Sequence, residues 1–173
     1  SFAAVPANAK LHGAEFRYIL ENSGARACLV GPELLATIAE HRPDSLEHLI
    51  VLGSDAYATL FDADKAPLAE ADVDDLAWLF FTSGTTGRPK GAMLTHGNMS
   101  AMAQMHQDHV DPTETTDCII HAAPLSHGSG IYMIPHVNQA ACNVMPGSGG
   151  FEPAEIFELA EAWGGMSLFA APT

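Results

Sequence analysis

The sequence predicts an α/β protein, a mostly parallel sheet with helices on both faces. Short runs rich in Val, Ile, Leu and Phe alternate with helix-length amphipathic stretches, which implies repeated strand–helix units joined by right-handed crossovers. Apolar residues make up 47 % and charged residues 16 % of the 173 residues, so the chain is not disordered and has material for one core. At about 150 residues per domain that leaves room for a single domain.

The elements follow in order. Residues 2–5 read as a first strand ended by Pro6. Residues 13–23 carry Phe16, Ile19 and Leu20 on a helical stripe with Gly24 as its cap. Residues 27–30 read as a strand, 33–41 as a helix halted before Pro43, and 49–52 as a strand. The pattern is lost over 54–75, where many carboxylates face the single Lys65, and a solvated surface connection is expected there. Residues 76–81 form an apolar run that stops at Thr82-Ser83-Gly84. A helix over 96–109, a strand over 118–123 and a helix over 131–138, late or kinked at Pro135, come next. Residues 141–145 read as a strand, 153–163 as a helix with Ile156, Phe157, Leu159 and Ala160 inward, and 166–170 as a last strand.

The formal net charge is -14, from 21 acidic and 7 basic residues. Such a surface repels phosphate backbones and anionic membranes, so nucleic acid is excluded as a general partner. No apolar run is long enough to span a bilayer. Cys28, Cys118 and Cys142 lie apart in apolar runs and read as reduced thiols of a cytoplasmic protein. Asn98-Met99-Ser100 is a chance glycosylation sequon.

Against this acidity, Arg88 and Lys90 lie close together in the segment Thr82-Ser83-Gly84-Thr85-Thr86-Gly87-Arg88-Pro89-Lys90-Gly91. The glycines allow backbone N–H groups to point into one concavity. Thr82, Ser83, Thr85 and Thr86 add hydroxyls that can donate to phosphate oxygens or reach a metal ion. Lys90 adds a point charge and Arg88 a fork of donors. That combination suits a polyphosphate. The spacing is not that of a Walker loop, because Lys90 follows Pro89 and precedes Gly91. A Gly/Ser/Thr connection without a ligand is the alternative, and the position after an apolar strand and the cationic pair weigh against it.

The same segment resembles the signature of adenylate-forming enzymes: acyl- and aryl-CoA synthetases, peptide-synthetase adenylation domains and beetle luciferases. Thr-Ser-Gly-Ser/Thr-Thr-Gly-x-Pro-Lys-Gly is matched at every fixed position by Thr82 to Gly91. The stretches around Val5-Pro6-Ala7-Asn8 and Gly24-Ala25-Arg26 resemble the family's upstream segment, and 92–98 its continuation of the loop. Pro124-Leu125-Ser126-His127-Gly128-Ser129-Gly130 is similar to a second motif, Pro-Leu-x-His-x-x-Gly, commoner in CoA ligases; Ser126 departs where an aromatic is frequent.

The resemblance implies a two-step reaction. A carboxylate attacks the α-phosphate of ATP to give an acyl adenylate, and coenzyme A then displaces AMP to give a thioester. It implies that Thr82, Ser83, Gly84, Thr85, Thr86, Gly87, Arg88 and Lys90 bind ATP, with Thr85 and Thr86 near Mg²⁺. Lys90 would compensate the leaving pyrophosphate, and His127 would lie near the acyl substrate. On its own terms, His127 also reads as a loop histidine satisfied by backbone. Carrier-protein loading and a nucleotide-binding module without chemistry are the alternatives. Both ends break off inside the pattern, so residues 1–173 are expected to be a partial N-terminal domain, inactive alone, of an acid–thiol ligase such as those of fatty acid metabolism. The family's Glu motif, ribose-binding Asp and C-terminal Lys do not occur here.

The remaining histidines read as structural. His106 and His109 could make half a metal site that nothing completes, and His121 is expected to pack in the core within a strand. Met99, Met102 and Met105 read as a core stripe.

Overall fold

A computed structural model describes residues 2–62, 64–82 and 88–170. It is α/β, with hydrogen-bonded strands in three groups. The first unit is helix α1 (Gly13–Ser23), strand β1 (Ala27–Val30), helix α2 (Leu35–Glu40) after a 3₁₀ turn over Pro32–Leu34, and strand β2 (His48–Val51). Strands β1 and β2 pair in parallel, Cys28 opposite Leu49 and Val30 opposite Val51. Those alternate positions face one way and pack with Phe16 and Ile38 of the two helices. Leu29, on the other face, is 57 % exposed. Helix α1 starts at His12, whose Nδ1 accepts from the Ala14 N–H while Glu15 accepts from the His12 N–H. It ends at Gly24 in the left-handed region, φ 64°.

Helix α3 (Asp55–Asp62) follows β2. The sequence reading treats 54–75 as one irregular connection; the helix within it pairs Tyr57 with Phe61 edge to face. The acidic density hides a one-sided aromatic stripe. Strand β3 (Leu76–Thr82) and strand β4 (Lys90–Thr95) then form an antiparallel hairpin. Strand β4 corrects the sequence reading, which gives 92–98 only as a continuation of the loop. Its exposed and half-buried residues carry little apolar signal, and the long pairing with β3 supplies the order. The first strand expected over 2–5 is reduced to one bridge, Ala4 to Trp78.

Helix α4 (His96–His109) begins at Thr95, whose hydroxyl accepts from the Asn98 N–H at 3.2 Å while Asn98 Oδ1 accepts from the Thr95 N–H at 3.0 Å. Asn98 therefore has a capping task. The buried stripe of α4 is Met99, Ala103 and His106, at helical spacing. Met105 is 62 % exposed, so the three methionines are not a common core face.

Strand β5 (Cys118–Ile120), helix α5 (Gly128–Asn138), strand β6 (Cys142–Val144), helix α6 (Pro153–Trp163) and strand β7 (Met166–Leu168) build the last unit. It is a parallel sheet in the order β6-β5-β7. Cys118, Cys142 and Met166 align across it, as do Ile120, Val144 and Leu168. This apolar face packs on Ile156 and Leu159 of α6. The row between them, Ile119, Asn143 and Ser167, points to the opposite face by strand alternation, toward α5. Helices thus cover both faces here. Phe157, expected inward, is 75 % exposed, because Ile156 and Leu159 already fill the stripe toward the sheet.

Candidate functional site

The hairpin register decides how the glycine-rich segment is held. Thr82 pairs with Lys90, and Phe81 with Gly91. The segment 83–89 therefore joins two antiparallel strands, whereas a Walker loop joins a strand to a helix. Ser83, Gly84, Thr85, Thr86 and Gly87 lie outside the described residues. Thr82, Arg88 and Lys90 are exposed at the end of the hairpin where the connecting segment leaves and returns. The Arg88 guanidinium sits over the Tyr18 ring of α1 at 5.7 Å. Among the described residues neither Arg88 nor Lys90 enters an ion pair. Gly91 is needed by its neighbour: a Cβ there would lie 3.1 Å from the Phe81 ring.

His127 occupies the other part of the candidate site. It is the N-cap of α5 and extended, φ -121° and ψ -163°, and its ring makes no cap hydrogen bond. Ring Nδ1 has only a long 3.4 Å approach to Ser126 Oγ. The ring is exposed, so the structure does not show it satisfied by backbone. It stands beyond the carboxyl end of β5, where open parallel sheets bind ligands. Among the described residues no hydrogen bond or ion pair joins His127 to Thr82, Arg88 or Lys90; the two parts are held separately.

The loop 121–127 beneath His127 is tightly organised. The His127 N–H donates to Pro124 O and the Gly130 N–H to His127 O, both at 3.0 Å. A Cβ on Gly130 would collide with the Leu125 carbonyl oxygen, and one on Gly128 would lie 2.7 Å from the Phe169 ring. The glycines after His127 thus let backbone and an aromatic ring approach the first turn of α5.

His121 lies just past β5, and its N–H continues the ladder to Val144 O at 2.9 Å. It is 5 % exposed. Nδ1 meets Ser129 Oγ at 2.8 Å and Nε2 meets Asn143 Oδ1 at 2.9 Å. Burial pushes its pKa below the ordinary imidazole value, against the Asn143 hydrogen bond that raises it; the charge of His136 lowers it further. His136, 1 % exposed, meets Tyr132 O at 2.9 Å and Ser167 Oγ at 3.1 Å. The polar row Asn143–Ser167 on the α5 face is what these histidines satisfy. Sequence reasoning missed Asn143 and Ser167, whose signal was a polar residue at the centre of β6 and β7; Ser129, read as part of the motif leaving space beside His127, is instead fully buried.

A cavity of about 260 Å³ lies between α4, α5 and the end of β7, lined in part by His106, Tyr132 and Phe169. Neither Lys90 nor His127 borders it. Among the described residues no group of His, Cys, Asp or Glu could hold a metal ion.

The described part of the site is thus an α/β fold with exposed Thr82, Arg88 and Lys90 at one end of a hairpin and an exposed histidine after a strand of a parallel sheet. The sequence model of the AMP-binding enzyme family matches residues 1–173, and the chain belongs to that family. It is 30 % identical over 171 residues to a feruloyl-CoA synthase of an Amycolatopsis species, covering 98 % of this chain and 33 % of the relative. It is 31 % identical over 166 residues to the acetyl-coenzyme A synthetase of Bacillus subtilis, covering 89 % and 29 %. The o-succinylbenzoate CoA synthetase of Bacillus subtilis, solved with its acyl-adenylate intermediate, superposes with a TM-score of 0.77 at 25 % identity, covering 96 % of this chain and 42 % of that one. The chain spans about a third of the length of such relatives.

Proposed function

We propose that the chain is part of the N-terminal domain of a longer, cytoplasmic acid–thiol ligase. The enzyme activates a carboxylic acid with ATP to an acyl adenylate and passes the acyl group to coenzyme A. The observation that carries this reading is the hairpin, with Thr82 opposite Lys90 across a turn that bears the full adenylate-forming signature.

The chemistry asked of these residues is positioning and charge. Thr82, Ser83, Thr85 and Thr86 donate hydroxyls, and the backbone around Gly84 and Gly87 donates N–H groups, to the β- and γ-phosphates. Lys90 balances charge as pyrophosphate leaves, and Arg88 adds donors at the rim. Thr85 and Thr86 would hold Mg²⁺ by their hydroxyls, and the ion would supply neutralisation of the phosphate charge. The carboxylate oxygen forms a bond to the α-phosphorus as the bond to pyrophosphate breaks. His127 faces the acyl group and the incoming thiol from the end of β5.

The test is exchange of labelled pyrophosphate into ATP by the full-length parent, with acetate, ferulate and o-succinylbenzoate supplied singly. Acid-dependent exchange is expected with at least one member of a broad acid panel, followed by a CoA thioester. No exchange with any acid overturns the reading in favour of a binding module, and thioester formation only on a carrier protein corrects the acceptor. The chain 1–173 alone is expected to give no exchange.

A further inference from the structure

His121, Ser129 and Asn143 come from three elements and meet in one buried chain of hydrogen bonds. His121 follows β5, Ser129 opens α5 and Asn143 is the middle of β6. Asn143 Oδ1 accepts, so Nε2 of His121 donates to it, and Nδ1 then accepts from the Ser129 hydroxyl. The order serine–histidine–amide is that of a nucleophilic triad, but Ser129 is 0 % exposed and no substrate can reach it. Its work must be mechanical. The two ends of the loop 122–128 are His121 and Ser129, and one hydrogen bond of 2.8 Å closes them. Inside that closure lie the Pro124–His127 turn and the contact of Gly130 with the Leu125 carbonyl.

We infer that His121 is a positioning residue whose ring, clamped between Ser129 and Asn143, holds the loop under His127 at one height above the carboxyl edge of the sheet. The inference rests on the reading that His127 faces the acyl group. A ring with both nitrogens engaged cannot rotate without breaking a buried hydrogen bond. The loop therefore has one seat, and a misplacement of about 1 Å at a reacting group is costly in rate.

The test uses the full-length parent with Ser129→Ala, Asn143→Leu and Asn143→Asp. Hydrogen–deuterium exchange of the segment 121–130 is read beside steady-state kinetics with the best of acetate, ferulate and o-succinylbenzoate. Ser129→Ala and Asn143→Leu are expected to speed exchange in that segment alone, by about tenfold, and to raise KM for the acid by about tenfold. KM for ATP should stay within about twofold, because the hairpin is held separately. Asn143→Asp keeps an acceptor for Nε2 and should restore both readouts. Unchanged exchange in 121–130, uniform loosening of the whole chain, or a looser loop with unaltered acid KM would each overturn the inference. If the wild-type parent activates no acid, the proposed function fails, while hydrogen exchange still decides whether the clamp exists.

Discussion

The two halves of the candidate site are built in opposite ways. The end of the β3–β4 hairpin presents exposed Arg88 and Lys90; Arg88 sits over the Tyr18 ring and Lys90 stands in the strand ladder. The loop under His127 is closed by His121–Ser129, by the His127 N–H on Pro124 and by the approach of Gly130 to Leu125. On the proposed function, the difference follows from what each would meet. A polyphosphate brings its own charge, so cations awaiting it gain nothing from internal partners that would have to be displaced. An acyl group offers little charge to grip, so its surroundings must be held by the protein itself.

Removing the hairpin's charge is the sharpest way to break the comparison. Lys90→Ala should lower pyrophosphate exchange by the parent about 10²- to 10³-fold, the scale of a lost group that stabilises developing charge. Its melting temperature should not move, since the side chain is exposed. Loss of stability in step with activity would show that the hairpin is as internally tied as the His127 loop.

The reverse is expected of Gly130→Ala. The added Cβ meets backbone, not a flexible side chain, so about 1–3 kcal/mol of stability should be lost in denaturant titration. A neutral substitution would mean that the loop yields. Arg88→Ala should weaken ATP about fivefold, and its contact with Tyr18 should contribute only about 0.5 kcal/mol to stability.

The smallest effect tests a turn outside both halves. Hydrogen bonding by the Ser148 side chain, then by the Ser148 and Gly147 N–H groups, holds the Glu155 carboxyl below the ordinary 4.5 against partial burial; the Gly147 N–H donates to it at 2.6 Å and the Ser148 N–H at 3.3 Å. A carboxylate depressed on folding stabilises fully above its unfolded value, and that contribution fades as pH falls through its folded value. Melting curves of Glu155→Gln and wild type should differ at neutral pH and converge on acidification below about 4.5. A difference that persists in acid would place the effect elsewhere.

Helices 13–23, 96–109 and 153–163 were legible to the residue because their signals are local: a stripe, a cap and a proline in the first turn. Strand 27–30 was equally clear as an apolar run between turns. Strand β4 and helix α3 were not, because their residues are polar or exposed and owe their order to a neighbour or to an aromatic pair. Of the site, Thr82, Arg88, Lys90 and His127 could be named from motifs alone. The contacts of Ser129 and Asn143 could not, since each matters only through a ring it meets from another element.

The sequence by itself determined the α/β class and the family and named the candidate site residues, because residue type and spacing along the chain carry those. The tertiary structure decided that the glycine-rich segment turns between antiparallel strands, that Phe157 faces out, and that His121 spans β5, β6 and α5. Strand pairing and buried hydrogen bonds join residues distant in the chain, and a one-dimensional pattern does not encode which of them will meet.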